Sequence, residues 1–375
     1  MIIKYDCTYF PGDRPCHFHK TEGMKCDNCT HYAVAEKRIL IIKLDATGDV
    51  LRTTSVLHGI KERYPSSEIT WITRNAAVPI FKNNILVDRT FSYESTETSA
   101  LIAVEKFDLV YNFDASYSSA ILASQSNGTA KFGYGVNERG DVHPINAAAE
   151  EWFEMGAFDD VKKKNTHTYQ DHMLAIAGIT TQKKDIIITL SEAEKKFAAD
   201  HAVYHGLAGT NAKIGLNTGA SDRWQYKMWT LDGFTSLIGT ILERTDSLVL
   251  LYGGPLEAER NKELAAIDPT RVINMGTNNT LREFFALITL CDVFVTGDTL
   301  ALHAATAMKK KVLAYFGPTS VSEIESYGGQ ITKIHSDLDC LCCYKMTCDF
   351  EPNCMNSITP EFMFTQIQTI ISSKR

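Results

Sequence analysis

The stretch RILIIKLDATGDVLRTT, residues 38–54, decides how the rest of the chain is read. After one charged residue comes an apolar run, residues 39–44, short and rich in β-branched side chains. Such a run suits a buried parallel strand. Asp45-Ala46-Thr47-Gly48 is a turn. From Asp49 onward, Val50, Leu51, Val56, Leu57 and Ile60 fall on one helical face. The unit is therefore strand, tight glycine turn, helix N-terminus. Such a turn presents free backbone N–H groups and the positive end of a helix dipole, which attract anions. An aspartate at that spot has two readings. Asp49 could cap the helix, or stand ionised as a base aimed into a cleft.

Working outward, strands alternate with helices. EITWIT (68–73), a short run at 88–93, DLVYNF (108–113) ending at Asp114, and 132–134 read as strands, and 146–156 and 168–177 as helices. A second set opens near residue 185 with IIITLS, followed by Ser191-Glu-Ala-Glu194, which has the form of a capping box for a helix to about His205. KIGLN (213–217), LVLLY (248–252), 272–274, VFVT (293–296) and 312–316 follow, most of them stopping at glycine or a polar turn. This alternation predicts α/β architecture, two doubly wound Rossmann-like domains facing a central cleft. Ligands in such sheets lie beyond the carboxyl ends of the strands. The expected division is a Cys-rich segment at 1–36, Rossmann-like domains at 37–180 and 181–336, and a Cys-rich finger with a C-terminal helix at 337–375. That last helix, from Pro360, is amphipathic and is expected to cross back to the first domain.

A length of 375 residues fits two domains, and 44% apolar residues is ordinary for a globular protein. No stretch reaches the ~18 apolar residues needed to span a bilayer. The N-terminus, MIIKYDCTYFPGDRPC, lacks the apolar core of a signal peptide, so a cytoplasmic location is expected. A net charge of −7 argues against a general nucleic-acid binder, although Lys309-Lys310-Lys311 forms a local basic patch. Dinucleotide and P-loop readings fail on spacing. No G-x-G-x-x-G follows the first strand, and Asp141 stands where the Gly135–Gly140 pair would need lysine.

The second half carries NTGASDRWQYKMW, residues 217–229. A strand ending at Thr218-Gly219, with Lys227 before a helix, suits a diphosphate. The bland alternative is a solvated loop, against which the two tryptophans argue, since large aromatics in polar loops usually pack or stack. GDTLALH (297–303) places Asp298 at a strand-to-helix turn, where it could simply cap the helix. His303 could be a satisfied core histidine. Gly253-Gly254-Pro255-Leu256-Glu257 could be only a turn.

Together, LDATGDVLRTT, NTGASDRWQYKMW, YGGPLEAE and VFVTGDTLALHAATAMKKKVLAYFGPTS resemble glycosyltransferase family 9, the ADP-heptose heptosyltransferases of lipopolysaccharide assembly and their relatives. The resemblance covers about residues 38 to 370. It implies the two-Rossmann GT-B fold and inverting transfer of a sugar from a nucleotide-sugar donor, without a catalytic metal. It makes Asp49 the general base, with Gly48 shaping its turn, and Lys227 the holder of the donor diphosphate. Asp298, with Thr299 and His303 alongside, would contact donor sugar and phosphates. Thr218, Gly219, Gly254 and Glu257 would line the nucleotide, Glu257 near the ribose, and the Met275 backbone would approach the base. Asp114 resembles a recurring family acid and is a rival for the base or an acceptor contact. Leu300 departs from the glycine often found there, which would narrow the sugar pocket. The implied acceptor is a glycan or lipid-linked glycan, approached from residues 135–146 and 150–164, with peripheral contact at the inner membrane. Two alternatives stand beside this reading: another nucleotide sugar or a protein acceptor, and a non-catalytic, metal-stapled nucleotide-sugar binder.

Nine of ten cysteines lie near the chain ends. Cys7, Cys16, Cys26 and Cys29 form one set, and Cys340, Cys343, Cys348 and Cys354 another, with Cys342 left over. In a reducing compartment such clusters read as structural zinc or iron sites. The C-terminal set resembles a finger seen in many family 9 members, including the iron-binding finger of autotransporter heptosyltransferases. Cys26-Asp-Asn-Cys29 could instead be a redox pair, and ligands from the two ends could share one site. Cys291 reads as a buried structural thiol.

Overall fold

The structure is a computed structural model that describes residues 2–220 and 225–373. The first sheet has strands β1 (Lys37–Ile42), β2 (Ser67–Thr73), β3 (Arg89–Ser92), β4 (Lys106–Asn112), β5 (Asn127–Val136) and β6 (Val142–Pro144), in the order β3-β2-β1-β4-β5-β6. The second has β7 (Lys213–Asn217), β8 (Leu248–Tyr252), β9 (Val272–Asn274), β10 (Val293–Gly297), β11 (Lys311–Phe316) and β12 (Ile331–His335), in the order β12-β11-β10-β7-β8-β9. Read from the other edge, the second sheet repeats the order of the first. Within the two sheets, among the described residues, only the β5–β6 pair is antiparallel.

Each doubly wound sheet reverses its strand order at one point, between β1 and β4 and between β7 and β10. Crevices open there, beyond the strands' carboxyl ends. The residues of β1 explain its central place. Ile39 and Ile41 enter one apolar cluster while Leu40 and Ile42 enter another, so both faces of the strand are buried. The cluster holding Ile39 continues through Val50 and Leu51 to Leu302, Ala305 and Phe316 of the second half. The helix Thr47–Thr53 packs directly on the helix Leu300–Ala307. This junction brings the two crevices together.

Several expectations need correction. Residues 185–190 form no strand. They run between the halves, with the Ile187 N–H donating to Thr54 Oγ1 at 2.9 Å and Ile186 buried in the shared core. The strand expected at 132–134 is ten residues long, and Gly133, at φ +91°, lies against the Asn112 carbonyl where any Cβ would collide. Strands β6 and β12 were not anticipated. The C-terminal helix Pro360–Ser372 does not return to the first sheet. It packs on the helix Leu231–Arg244 of the second half, burying Met363, Phe364, Ile367 and Ile370 beside Trp229. Trp229 Nε1 donates to the Ile358 carbonyl at 3.1 Å, which anchors the approach to this helix. The Ser191–Glu194 capping box is present, and its helix runs Glu192–Tyr204.

Candidate active site

On the first-half side, β1 ends and the chain turns through Asp45 into the helix Thr47–Thr53. Asp49 Oδ2 is 3.4 Å from the Ala46 N–H, a long and weak cap. Its Oδ1 is held by both Arg52 Nη2 at 2.8 Å and Arg52 Nε at 2.9 Å. Burial opposes ionisation of Asp49, but Arg52, Lys43 and His303 outweigh it and hold the carboxyl below its ordinary value. The side chain keeps 36% of its surface exposed, so it is ionised and reachable. A Cβ on Gly48 would sit 3.4 Å from Leu300 Cα, so the turn lies close against the second half.

Asp114 serves the same turn. Its Oδ2 accepts from the N–H groups of Leu44 at 3.1 Å and Asp45 at 3.0 Å, and Lys43 Nζ lies 3.6 Å from its Oδ1. Lys43 is buried and also donates to the Asp45 carbonyl. Burial disfavours its charge, yet Tyr169, Asp114 and Asp49 raise its pKa above the usual lysine value.

Across the junction, β10 ends at Gly297. Thr299, not Asp298, caps the next helix, its Oγ1 accepting from the Ala301 N–H at 3.2 Å. That leaves the Asp298 carboxylate for Lys227, whose Nζ is 3.0 Å away. Burial again opposes ionisation, and Lys227, His303 and Arg52 hold Asp298 well below the carboxylate range. Gly297 is required here, because a Cβ would fall 2.2 Å from the Lys227 carbonyl oxygen. His303 is buried. Desolvation and Arg52 push its pKa down to about 4 against the pull of Asp298 and Asp49, so it is neutral at pH 7.

The remaining expected positions form a separate cradle beyond β7 and β8. Glu257 Oε2 accepts from the Gly254 N–H at 2.7 Å, and a Cβ on Gly219 would sit 2.1 Å from the Glu257 carboxyl carbon. Gly219 therefore makes room for the acid. The Thr218 hydroxyl is buried, bonded to Asn261 and the Tyr252 carbonyl, so it faces the domain interior. Met275 is also fully buried, its N–H donating to the Leu251 carbonyl at 3.0 Å and its carbonyl accepting from Asn279 Nδ2 at 3.0 Å. Residues 221–224, within the proposed diphosphate loop, lie outside the described residues.

The sequence reading passed over four polar groups that crowd this site: Lys43, Arg52, Glu323 and Tyr344. Arg52 lies over the Tyr169 ring with its guanidinium carbon 3.6 Å from the centroid, and its Nη2 is 3.9 Å from Glu323 Oε2. Arg52 sits three residues after Asp49, the spacing at which opposite charges on a helix meet, and that was a legible signal. Glu323 and Tyr344 lie in loops with no motif to announce them.

The family model of Glycosyltransferase family 9 (heptosyltransferase) matches residues 100–353. This chain belongs to glycosyltransferase family 9. As a family 9 member it is a glycosyltransferase. It is 23% identical over 336 residues to "Lipooligosaccharide heptosyltransferase 2" of Campylobacter jejuni, covering 87% of this chain and 96% of the relative. Among solved structures, the family 9 glycosyl transferase from Veillonella parvula is 17% identical with a TM-score of 0.73, covering 90% of this chain and 98% of that one. ADP-heptose lps heptosyltransferase II of Escherichia coli is 19% identical with a TM-score of 0.67, covering 90% and 99%. These structures share the fold of this family 9 enzyme.

All ten cysteines are free thiols. Cys7, Cys16, Cys26 and Cys29 line one small cavity with Phe18 and His31. Burial and the neighbouring Cys343, Cys348 and Cys340 push the Cys354 thiol up to about 11. Cys342 lies apart from them, near Glu323 and Ser320. The donor chemistry suits a thiophilic ion. As placed, however, no three or more His, Cys, Asp or Glu side chains among the described residues form a group that could hold one. The cavity holding the N-terminal set is lined by N-terminal residues alone, which gives no support to a site shared between the chain ends. Cys291 is buried, bonded to Tyr252 Oη at 3.2 Å, and burial pushes its thiol up to about 12.

Proposed function

We propose that this enzyme transfers a heptose, with inversion, from ADP-heptose to a lipopolysaccharide-type or related glycan acceptor. The observation that carries the reading is the meeting of an ionised, accessible Asp49 with the Lys227–Asp298 pair where the helices Thr47–Thr53 and Leu300–Ala307 pack together. The names of the C. jejuni and E. coli relatives support the donor and the acceptor class.

The chemistry follows from charge. As the sugar–phosphate bond breaks, positive charge develops on the sugar and negative charge on the leaving diphosphate. Lys227 supplies the compensating cation, in a site where Asp298 fixes its ammonium group. The acceptor hydroxyl attacks the opposite face, and Asp49 takes its proton. A carboxylate of lowered pKa is sufficient, because the hydroxyl becomes strongly acidic only as its bond to the sugar forms. Glu257 and the Gly219 and Gly254 backbones would receive the nucleoside, and the Met275 backbone its base. Asp114, occupied by the Leu44 and Asp45 N–H groups, is the anchor of the base's turn. Residues 37–180 are assigned to the acceptor and 181–336 to the donor, flanked by the Cys-rich segments 1–36 and 337–375.

A second reading, another nucleotide sugar, is favoured by Leu300, whose backbone lies against Gly48 at the junction. Release of ADP from ADP-heptose, compared with release from a panel of other nucleotide sugars, decides between them. The Lys227→Ala variant should lose release with the true donor. ADP-heptose left intact while another donor is consumed would overturn the first reading.

The two cysteine sets are proposed as structural zinc or iron sites, closed by movement of their loops onto the ion. Elemental analysis of purified protein should find near two ions per chain, and a metal-free, fully folded preparation would sink this. A lipid-linked acceptor would bring the enzyme from the cytoplasm to the inner membrane as a peripheral protein. Among the described residues no helix is long and apolar enough to cross a membrane.

A further inference from the structure

The base is not held by its own turn alone. Arg52 gives both of its bonds to a single oxygen, Asp49 Oδ1. Among the described residues Oδ2 has only the 3.4 Å contact to the Ala46 N–H. The oxygen with spare accepting capacity is therefore fixed by Arg52. Arg52 in turn is 12% exposed and wedged between two groups. On one side is the Tyr169 ring, whose hydroxyl is 2.7 Å from Thr53 Oγ1. On the other is Glu323 of the second half.

Glu323 is itself secured from two directions. Its carbonyl accepts from the Tyr169 N–H at 2.9 Å, and its Oε1 accepts from the Tyr344 hydroxyl at 3.1 Å. The Tyr344 oxygen also accepts from the Ser320 N–H at 3.2 Å. Tyr344 belongs to the Cys-rich finger. The finger is pinned to the end of β11, with the Cys342 N–H donating to the Gly317 carbonyl at 3.1 Å and the Tyr344 N–H to the Pro318 carbonyl at 2.8 Å. Gly317 has no room for a Cβ, which would fall 2.5 Å from Cys354 Sγ.

We propose that Arg52 is the positioning residue for Asp49, and that the Cys-rich finger sets Arg52 through Tyr344 and Glu323. The finger is then part of the catalytic apparatus and not only a staple. The inference rests on Asp49 being the base. An exposed i,i+3 ion pair would contribute only tenths of a kcal/mol, but here the Arg52 partner is largely buried and Asp49 is the reacting group. Charged and titratable groups face it from both halves. Lys43, just beyond β1, Tyr169, and His303 from the second half face Asp49. Tyr169, Glu323, Asp298, Lys43, His303 and Tyr327 face Arg52, and Asp298, Tyr344, Cys342 and Lys162 face Glu323.

The sign of the expected effect is fixed. Arg52 favours the charged form of Asp49, so loosening or removing it raises the Asp49 pKa and moves the acid limb of turnover to higher pH. The test uses the full chain labelled with 13C at aspartate Cγ, the Asp49 resonance being assigned by its loss in Asp49→Asn. Its titration midpoint should rise by about one pH unit in Arg52→Gln and by less in Arg52→Lys and Tyr344→Phe. With ADP-heptose as donor, kcat of Arg52→Gln should fall on the order of tenfold, with donor KM within about twofold of wild type. If Arg52→Gln does not fold, the lysine and Tyr344→Phe variants carry the test. An Asp49 midpoint unchanged in these variants, or a change confined to KM, would overturn the proposal. Wild-type turnover by Asp49→Asn would instead overturn the base assignment, and the midpoints distinguish the two failures.

Discussion

Gly297→Ala isolates the link between backbone packing and the leaving-group cation. Gly297 is not in the left-handed region, so alanine brings no backbone strain, only a methyl group where there is no space. That methyl would lie 2.2 Å from the Lys227 carbonyl oxygen and 3.0 Å from Tyr315 Cε2. Relief requires the Lys227 backbone to retreat by about 1 Å, since interiors are close-packed and the strand end cannot recede. Lys227 then no longer holds its ammonium 3.0 Å from Asp298 at the point where the diphosphate charge develops. Misplacement by about 1 Å costs about 100-fold in rate. Overpacking of this kind costs about 1–3 kcal/mol of stability. Steady-state ADP release, titration of ADP binding and thermal denaturation together read these effects. A folded Gly297→Ala protein with kcat and donor KM within twofold of wild type would refute the assignment of Lys227.

Three further outcomes follow from packing and charge. Gly239 lies exposed within the helix Leu231–Arg244 with open space around its Cα, so Gly239→Ala should stabilise the protein by about 0.5–1 kcal/mol in urea denaturation without changing turnover. Ile367 is fully buried against the second half, and Ile367→Ala should cost about 2–5 kcal/mol there, seen as an earlier urea transition. Glu194 is bonded to Arg282 at 2.7 and 3.0 Å with both side chains nearly buried, so Arg282→Ala should cost about 3 kcal/mol. The Arg282 bonds hold the Glu194 carboxyl below its ordinary value despite burial. Its stabilisation is therefore present above the unfolded value of about 4.3 and lost as pH falls below it. The wild-type urea midpoint should drop in that acid range, and the Arg282→Ala midpoint should drop less.

Much of the fold was legible because local signals agreed. The run at 39–44, its glycine turn and the amphipathic segment after it each demanded the same strand–turn–helix unit, and the capping box at Ser191 marked its helix without ambiguity. The β5 strand was mostly hidden because Gly128, Gly133 and Gly135 depress strand propensity, although Gly133 is what allows the Asn112 carbonyl to approach. The run 185–190 was apolar for a different reason, burial in the junction between the halves. The final helix showed an apolar stripe, but a stripe does not name its partner, and Trp229 lies far away in sequence. At the site, the ambiguities of Asp49, Asp298 and His303 resolved differently. Asp49 makes only a long cap, Thr299 takes the cap expected of Asp298, and His303 is the buried neutral histidine of the bland reading. Arg52 could have been read from its spacing. Glu323 and Tyr344 could not, since only tertiary packing brings those two loops to the base.

The central claim, that Asp49 is the base of an inverting transfer at this junction, is tested most directly by Asp49→Asn. The amide preserves size, and the turn anchored by Asp114 should hold its place. ADP-heptose and acceptor are supplied, ADP release is followed, and donor binding is measured in parallel. The account predicts donor affinity within a few-fold of wild type and turnover reduced by about 100-fold or more. Wild-type turnover in Asp49→Asn would contradict it.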